Sequence, residues 1–435
     1  MSIPLVLRCL VVPSSLAFAG LMFGNAYAAE DVDSPQSLRL NGFGSLAGLS
    51  QSSNFGGKFR RDTSQAYQGD ATAISRDSRI GLQANYAIND KIELVGQGVL
   101  KDRVVSNSAK DAIEWAFLSY SPTPEFKLRI GRTSADMFLL SDYRNVGFAY
   151  LTARPNVDFY GMLPFEGLDG ADLTRSWESG DANWRAKVFA GNSQYRLSNS
   201  FGSANVGSMS KSLGLVLSRE KDGLLMRGTL ARSNLNFDLG DAAQMHQGLA
   251  AVAQLPVPAV AAQALDYKRQ ISYRNFQVVY GSLGVSYDRD NWVLNAEAMR
   301  TQSSALPQAN LKAGYFVLGR RLSDVTVYGG ASGMRILADA QGTPQWATAL
   351  APYASVLGAD NIRNTQILGS TVATVINAAR ANQQTLTFGA RWDVRPTVAL
   401  KLQWDRTWAK PNASIMWSAA GGRADVVSAV LDFVF

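Results

Sequence analysis

Ala424-Asp425-Val426-Val427-Ser428-Ala429-Val430-Leu431-Asp432-Phe433-Val434-Phe435 closes the chain. Val427, Ala429, Leu431, Phe433 and Phe435 fall on one face, Ser428 and Asp432 on the other. A period of two is the signature of a strand with two unlike surroundings. A strand crossing a bilayer obliquely needs about 9–11 residues, apolar toward lipid and polar toward a lumen. Backbone groups in lipid must all be paired, so such a strand belongs to a closed ring. The final strand then pairs with the first, expected over Leu38 to Leu49, and removes both edges.

Working back from the end, the same alternation recurs in pairs joined by short turns. Around Asn89-Asp90, Ile80, Leu82, Ala84, Tyr86 and Ile88 oppose Arg79, Gln83 and Asn85, and Ile92 and Leu94 oppose Glu93 and Gln97. Asn-Asp between alternating runs reads as a tight hairpin turn. Ile113, Trp115 and Phe117 lead through Ser121-Pro122-Thr123-Pro124 to Phe126, Leu128 and Ile130. Further hairpins are expected at Ser179-Gly180-Asp181, Glu220-Lys221-Asp222-Gly223, Asp288-Arg289-Asp290, Leu322-Ser323-Asp324 and Val394-Arg395-Pro396. Their arms carry Trp184, Leu213 to Leu217, Phe276, Val278 and Tyr280, Trp292, Tyr315 and Val317, Leu386 to Trp392, and Val398 to Trp404.

Seven hairpins and two terminal strands make sixteen, an even count. Long connections alternate with the short turns, at about 50–77, 101–111, 134–168, 192–210, 234–274, 303–310, 333–382 and 409–423. The fold class is therefore all-β: a sixteen-stranded antiparallel transmembrane barrel with short periplasmic turns and long extracellular loops. Tyr86, Trp115, Trp184, Trp292, Trp392 and Trp404 read as interfacial aromatic girdles. The Ala-rich stretch 250–265, with Pro256 and Pro258, reads as a partly helical surface loop, and 359–381 as another short helix.

The start of the chain agrees with export. Arg8 precedes an uncharged apolar run from Leu10 to Phe23, and Ala26-Tyr27-Ala28 supplies a small-x-small cleavage pattern. The expected domains are a cleaved signal over 1–28 and a barrel over 29–435. The only cysteine, Cys9, lies in that signal, so neither disulfides nor thiolate metal sites are expected in the mature chain. His246 is the only histidine, which excludes a His-rich metal centre. No mature stretch offers about 18 uninterrupted apolar residues for a helical span. The formal charge of +7 lacks a basic cluster interleaved with aromatics, so nucleic acid is not an expected partner. Gly42, Gly44 and Gly48 lie in an alternating strand and form no dinucleotide loop.

The third long loop carries Asp136, Asp142, Asp158 and Glu166 against Arg144 and Arg154, net −2. On the polar face of the strands stand Arg79, Lys127, Arg129, Arg185, Lys187, Arg391 and Lys401, with fewer acids: Glu93, Glu114, Glu297, Asp405 and Asp432. Charges lining a confined pore set ion preference, and a low-dielectric wall focuses their field.

With these residues in place, the chain resembles the sixteen-stranded trimeric porins of Gram-negative bacteria. The stretch from Ile113-Glu114-Trp115 through Leu139-Leu140-Ser141-Asp142-Tyr143-Arg144-Asn145-Val146-Gly147 is similar to porin-type proteins. Val427 to Phe435 is similar to the terminal signal read by the outer-membrane assembly machinery. The resemblance implies an outer-membrane homotrimer whose second loop reaches a neighbour, in contact with lipid and lipopolysaccharide. It also implies an inward-folded third loop, making Asp136, Asp142, Arg144, Asp158 and Glu166 constriction candidates. Two departures stand out: the second loop, Lys101 to Asp111, is short, and the third lacks a Pro-Glu-Phe-Gly-Gly run.

The expected function is a porin for passive diffusion of small hydrophilic solutes and ions, with no cofactor and no catalytic step. A channel specific for small anionic solutes is the alternative. An outer-membrane hydrolase would need a nucleophile beside His246, and no Gly-x-Ser-x-Gly or His-Glu-x-x-His pattern is present.

Overall fold

The computed structural model describes residues 37–435 except 104–108, 164–166, 199–203, 239, 304, 306–309, 337–339, 379, 412–414 and 420. The signal expected over 1–28, much of the second loop, and Glu166 thus lie outside the described residues.

Sixteen long strands form one antiparallel sheet. They are β1 (Ser37–Ser53), β2 (Arg79–Asn89), β3 (Ile92–Lys101), β4 (Ile113–Thr123), β5 (Phe126–Ser134), β6 (Gly167–Ser179), β7 (Ala182–Ser198) and β8 (Ala204–Lys221). There follow β9 (Leu224–Asp238), β10 (Phe276–Arg289), β11 (Trp292–Ser303), β12 (Leu311–Leu322), β13 (Val325–Ile336), β14 (Asn382–Arg395), β15 (Val398–Ala409) and β16 (Gly422–Val434). Each pairs with its chain neighbours, a two-residue strand at Thr72–Ala73 adds to the edge of β1, and β1 pairs with β16 to close the ring. At that seam Gly44 faces Phe433, whose ring lies where a side chain on Gly44 would stand. Phe435 covers Gly42 in the same way. An aromatic laid over a cross-strand glycine fixes register, which explains the small residues of β1.

All seven short turns hold two residues between strands. Asp222-Gly223 (φ 50° and 76°) and Asp290-Asn291 (φ 53° and 65°) show the doubly positive φ that matches strand twist in a tight hairpin. The turn expected at Asn89-Asp90 falls one residue later. Asn89 ends β2, and its side chain accepts from the backbone of Lys91 and Ile92, both at 2.9 Å, shaping the turn as an Asx motif.

The outer surface is a belt of exposed apolar side chains, among them Leu46, Leu82, Leu100, Ile130, Leu215, Leu230, Leu283, Phe388, Leu402 and Val427. Leu283, 71% exposed, would be costly in water and is at home in lipid. Ser428 and Asp432 point inward, as their alternation with Val427 and Leu431 requires.

Three runs expected to face lipid turn inward instead. Opposite β4 the register shifts at Gln97/Gly98, so Glu114 is the extra residue of a bulge and both Glu114 and Trp115 are buried inside. Trp115 is therefore no girdle residue. Phe276, Val278 and Tyr280 are buried inside while Val279 and Leu283 face out; Tyr315 and Val317 are inside while Phe316 and Leu318 face out. Where neighbouring residues are both apolar, as at Val278-Val279-Tyr280 and Tyr315-Phe316-Val317-Leu318, alternation leaves the two faces indistinguishable, and the partner on the inner side decides.

The connection expected over 192–210 is also shorter than its sequence suggested, because β7 runs to Ser198 and β8 resumes at Ala204. The long fifth loop folds into α2 (Gly240–Val252) and α3 (Pro258–Gln270), with Pro258 at the start of α3 where its missing N–H costs nothing. The seventh holds the 20-residue α5 (Ala359–Ala378), preceded by α4 (Trp346–Leu350). These helices pack on one another, and Trp346 donates to Gln263 Oε1 at 2.8 Å. No helix among the described residues is long and apolar enough to cross a membrane.

Candidate functional site: a loop strapped across the lumen

Beyond Ser134 the third loop leaves the wall and crosses the interior. Asp136 forms ion pairs with Lys187 of β7 and Arg227 of β9. Burial alone would raise its carboxyl; the two cations overcome that and hold it well below the usual range. The Leu139 N–H donates to Glu297 Oε2 of β11 at 2.8 Å. The hydroxyls of Tyr160 and of Tyr315 (2.9 Å) donate to the other oxygen of Glu297. Phe138, Phe159 and Tyr160 stack edge-on among themselves and against Tyr280 and Tyr315, which explains why those two wall aromatics turned inward.

On the other flank the loop is held by charge. The Lys401 ammonium, 0% exposed, donates to the carbonyls of Gly147 (2.7 Å), Tyr150 (2.6 Å) and Thr152 (3.0 Å) and pairs with Asp432 at 2.9 Å. Arg391 donates to the carbonyls of Phe148 and Tyr150 at 2.8 and 3.1 Å, and Arg79 to the Tyr150 hydroxyl. Arg154, on the loop, bonds Asp77 at 2.7 Å, Asp405 at 2.8 Å and the Ser428 hydroxyl. Gly147 comes so close to the wall that a Cβ there would lie 2.0 Å from Asp432 Oδ1.

Other expected constriction residues hold the loop's own shape. Asp142 accepts from Ser134, and Arg144 donates to the carbonyls of Leu163 (2.8 Å) and Tyr160 (3.2 Å). Asp158 lies in the single turn α1 (Val157–Tyr160), whose first free N–H groups are capped by Asn156. Its partners are the neutral Ser332 (2.7 Å) and Gln383 (2.6 Å), and burial pushes its carboxyl up. Of the expected wall bases, Arg129 is taken by Asp172 of β6, with Nε 3.0 and 2.9 Å from its two oxygens. Lys127 and Arg185 stand near the short-turn ends of β5 and β7, with Arg185 two residues from Lys187 on the same strand.

Sequence reasoning missed a second inward loop. In the first loop Arg60, Arg61, Asp62, Gln65 and Asp77 are buried, and Thr63 N–H donates to Gly161 of the third loop at 2.9 Å. Burial would raise the Asp62 carboxyl, but Arg61 and Arg144 bring it down to about 2. Nothing in Arg60-Arg61-Asp62 distinguishes an inward loop from a solvated one. The eighth loop joins them through a bridge between Phe59 and Trp417.

Among the described residues the buried charged side chains are equal in number. Arg60, Arg61, Arg79, Arg129, Arg144, Arg154, Lys187, Arg391 and Lys401 make nine bases; Asp62, Asp77, Glu114, Asp136, Asp158, Asp172, Asp288, Glu297 and Asp432 make nine acids. The basic wall expected from the strands is thus largely spent on holding loops, and the loop acids face only part of it. His246 lies in α2, where its ring meets Tyr273 edge-on and its Nε2 lies 3.0 Å from the Ile271 carbonyl.

No family model and no curated protein matches the sequence. Among solved structures the chain is similar to the outer membrane channel DcaP of Acinetobacter baumannii, at 11% identity and a TM-score of 0.52 over 94% of this chain and 100% of that one. It is also similar to the outer-membrane OmpT of Vibrio cholerae (10% identity, TM-score 0.48, 94% and 100% covered) and to OmpF of Salmonella typhi (12%, 0.47, 94% and 100%). At such identities the likeness speaks for the fold alone: this is a closed sixteen-stranded outer-membrane β-barrel.

Proposed function

We propose that the chain is exported with removal of residues 1–28 and serves in the bacterial outer membrane as a porin for passive diffusion of small hydrophilic solutes and ions. One observation carries the reading. An apolar belt surrounds a polar interior that is narrowed, across its width, by a loop tied to both flanks. A barrel of this strand number leaves an aqueous lumen, and conduction through it follows radius and lining charge. Since Lys187, Arg391 and Lys401 are engaged by the third loop and Arg129 by Asp172, weak selectivity is favoured over a channel specific for small anions. Asp136, Asp142, Arg144 and Asp158, with Glu166, shape the constriction, Arg79, Lys187, Arg391 and Lys401 seat it, and Arg129 belongs to the wall beside it through Asp172. Lys127 and Arg185 act at the periplasmic mouth. The active form is a homotrimer, assembled in lipid and lipopolysaccharide after recognition of the final strand.

Purified protein added to a planar bilayer should insert in steps, in triplets for a trimer, with a reversal potential near zero in a potassium chloride gradient. A folded protein that gives no current steps contradicts the porin reading. A strongly anion-selective potential favours the specific channel.

A further inference from the structure

The long-loop half of the lumen holds a cavity of about 110 Å³ on the outer side of the third loop. Three thioethers, Met137, Met162 and Met209, line it with the rings of Tyr195 and Tyr280, and its surface is mostly apolar. A water needs ~10–15 Å³ measured this way, and an apolar pocket of ~150 Å³ holds a benzene-sized guest. Methionine sulfur is adaptable and makes favourable contacts with aromatic rings.

Arg60, Thr63, Ser198, Arg232, Ser233 and Thr301 are the polar residues of the lining, and two of them bear on a ligand. The Thr63 hydroxyl is buried at the cavity and has no hydrogen-bond partner among the described residues. Arg60, 2% exposed, spends four bonds on carbonyl oxygens, of Ile415 (twice, one at 2.8 Å), Ser198 (2.8 Å) and Gln65 (3.5 Å), and lies over the Tyr67 ring. A guanidinium has five N–H groups, so one is left over. No carboxylate is within ion-pair distance of it among the described residues, and Asp62 turns to Arg61 at 2.9 Å. Carbonyl dipoles solvate a cation without neutralising it, so the cavity keeps a positive potential.

We infer that this cavity is an affinity site for monocarboxylates bearing one aromatic ring, the ring among the methionines and the carboxylate toward Arg60 and Thr63. Its bearing on transport rests on the porin reading; its bearing on binding does not.

The test is calorimetry on the folded protein in detergent with benzoate, acetate and benzylamine as probes. Folding of each variant is checked by its heat-modifiable migration. Benzoate should bind saturably, acetate at least ten-fold more weakly, and benzylamine not measurably. Met209→Trp, which fills the cavity from a wall strand, should weaken benzoate at least ten-fold, and Thr63→Val about three-fold. Leu283→Ala on the lipid face should leave binding as in wild type. Benzylamine binding as tightly as benzoate, or unchanged benzoate binding in folded Met209→Trp, overturns the inference. Bilayer currents separate the two claims: intact currents without benzoate binding refute the site alone, whereas binding without currents refutes the porin reading and supports the site.

Discussion

The third loop meets the barrel on two flanks that hold it by different physics. Toward β14, β15 and β16 its backbone is gripped by Lys401 and Arg391, its own Arg154 reaches Asp405 and Ser428, and Gly147 is pressed against Asp432. Toward β9 to β12 it is seated on rings and aliphatic chains, with Glu297 and the Asp136 pairs as polar fixtures. Charged hydrogen bonds are directional and apolar contacts are not, and the cavity lies on the apolar side. One flank fixes where the loop lies, and the other leaves room beside it.

The largest effect is expected where the directional flank is cut. Lys401→Met leaves Asp432 with the Ser45 hydroxyl but no cation and takes one donor from each of three carbonyls, and removing one partner of a buried ion pair costs about 3–5 kcal/mol. The midpoint of urea unfolding in detergent should fall accordingly; an unshifted midpoint would mean that the ammonium holds nothing. Gly147→Val tests the same flank by steric means. Its Cβ meets Asp432 and Ser45, and overpacking of this kind costs about 1–3 kcal/mol.

Much of this was legible in the sequence, and the boundary is physical. Strand positions followed from alternation because lipid and water impose opposite demands on adjacent residues, as at Val427 to Phe435. The seam glycines Gly42 and Gly44 were readable as strand residues, though not the rings that cover them. Alternation failed at Phe276 to Tyr280 and at Tyr315 to Val317, where wall aromatics meet the rings of Phe138 and Phe159 on the third loop. Charge type pointed to Lys187, Arg391 and Lys401 as lumenal, while their work as loop anchors depends on contacts 51 to 254 residues away in the chain. The first loop's burial had no local signal at all.

Asp158 sharpens the comparison at smaller magnitude. Its raised carboxyl means the folded state takes up a proton that the unfolded state does not, so stability falls as pH rises through that raised value and is greatest below the ordinary carboxylate range. Asp158→Asn should remove that slope and change stability at neutral pH by less than about 1 kcal/mol, since neutral hydrogen bonds to Ser332 and Gln383 can persist. A variant with an undiminished acid slope would assign the proton elsewhere. Smallest of all, Arg185→Ala at the short-turn mouth should alter stability by less than about 0.5 kcal/mol. It should move the reversal potential slightly toward cations; a fall in unfolding midpoint instead would show that Arg185 braces the wall.

The central claim is that the strapped third loop sets the size of the pore. Single-channel conductance of Arg154→Ala beside wild type, both folded and in the same salt, tests it most directly. Loosening the loop from Asp77, Asp405 and Ser428 should raise the conductance of each step and make it noisier. Steps of wild-type size from the folded variant would contradict the account.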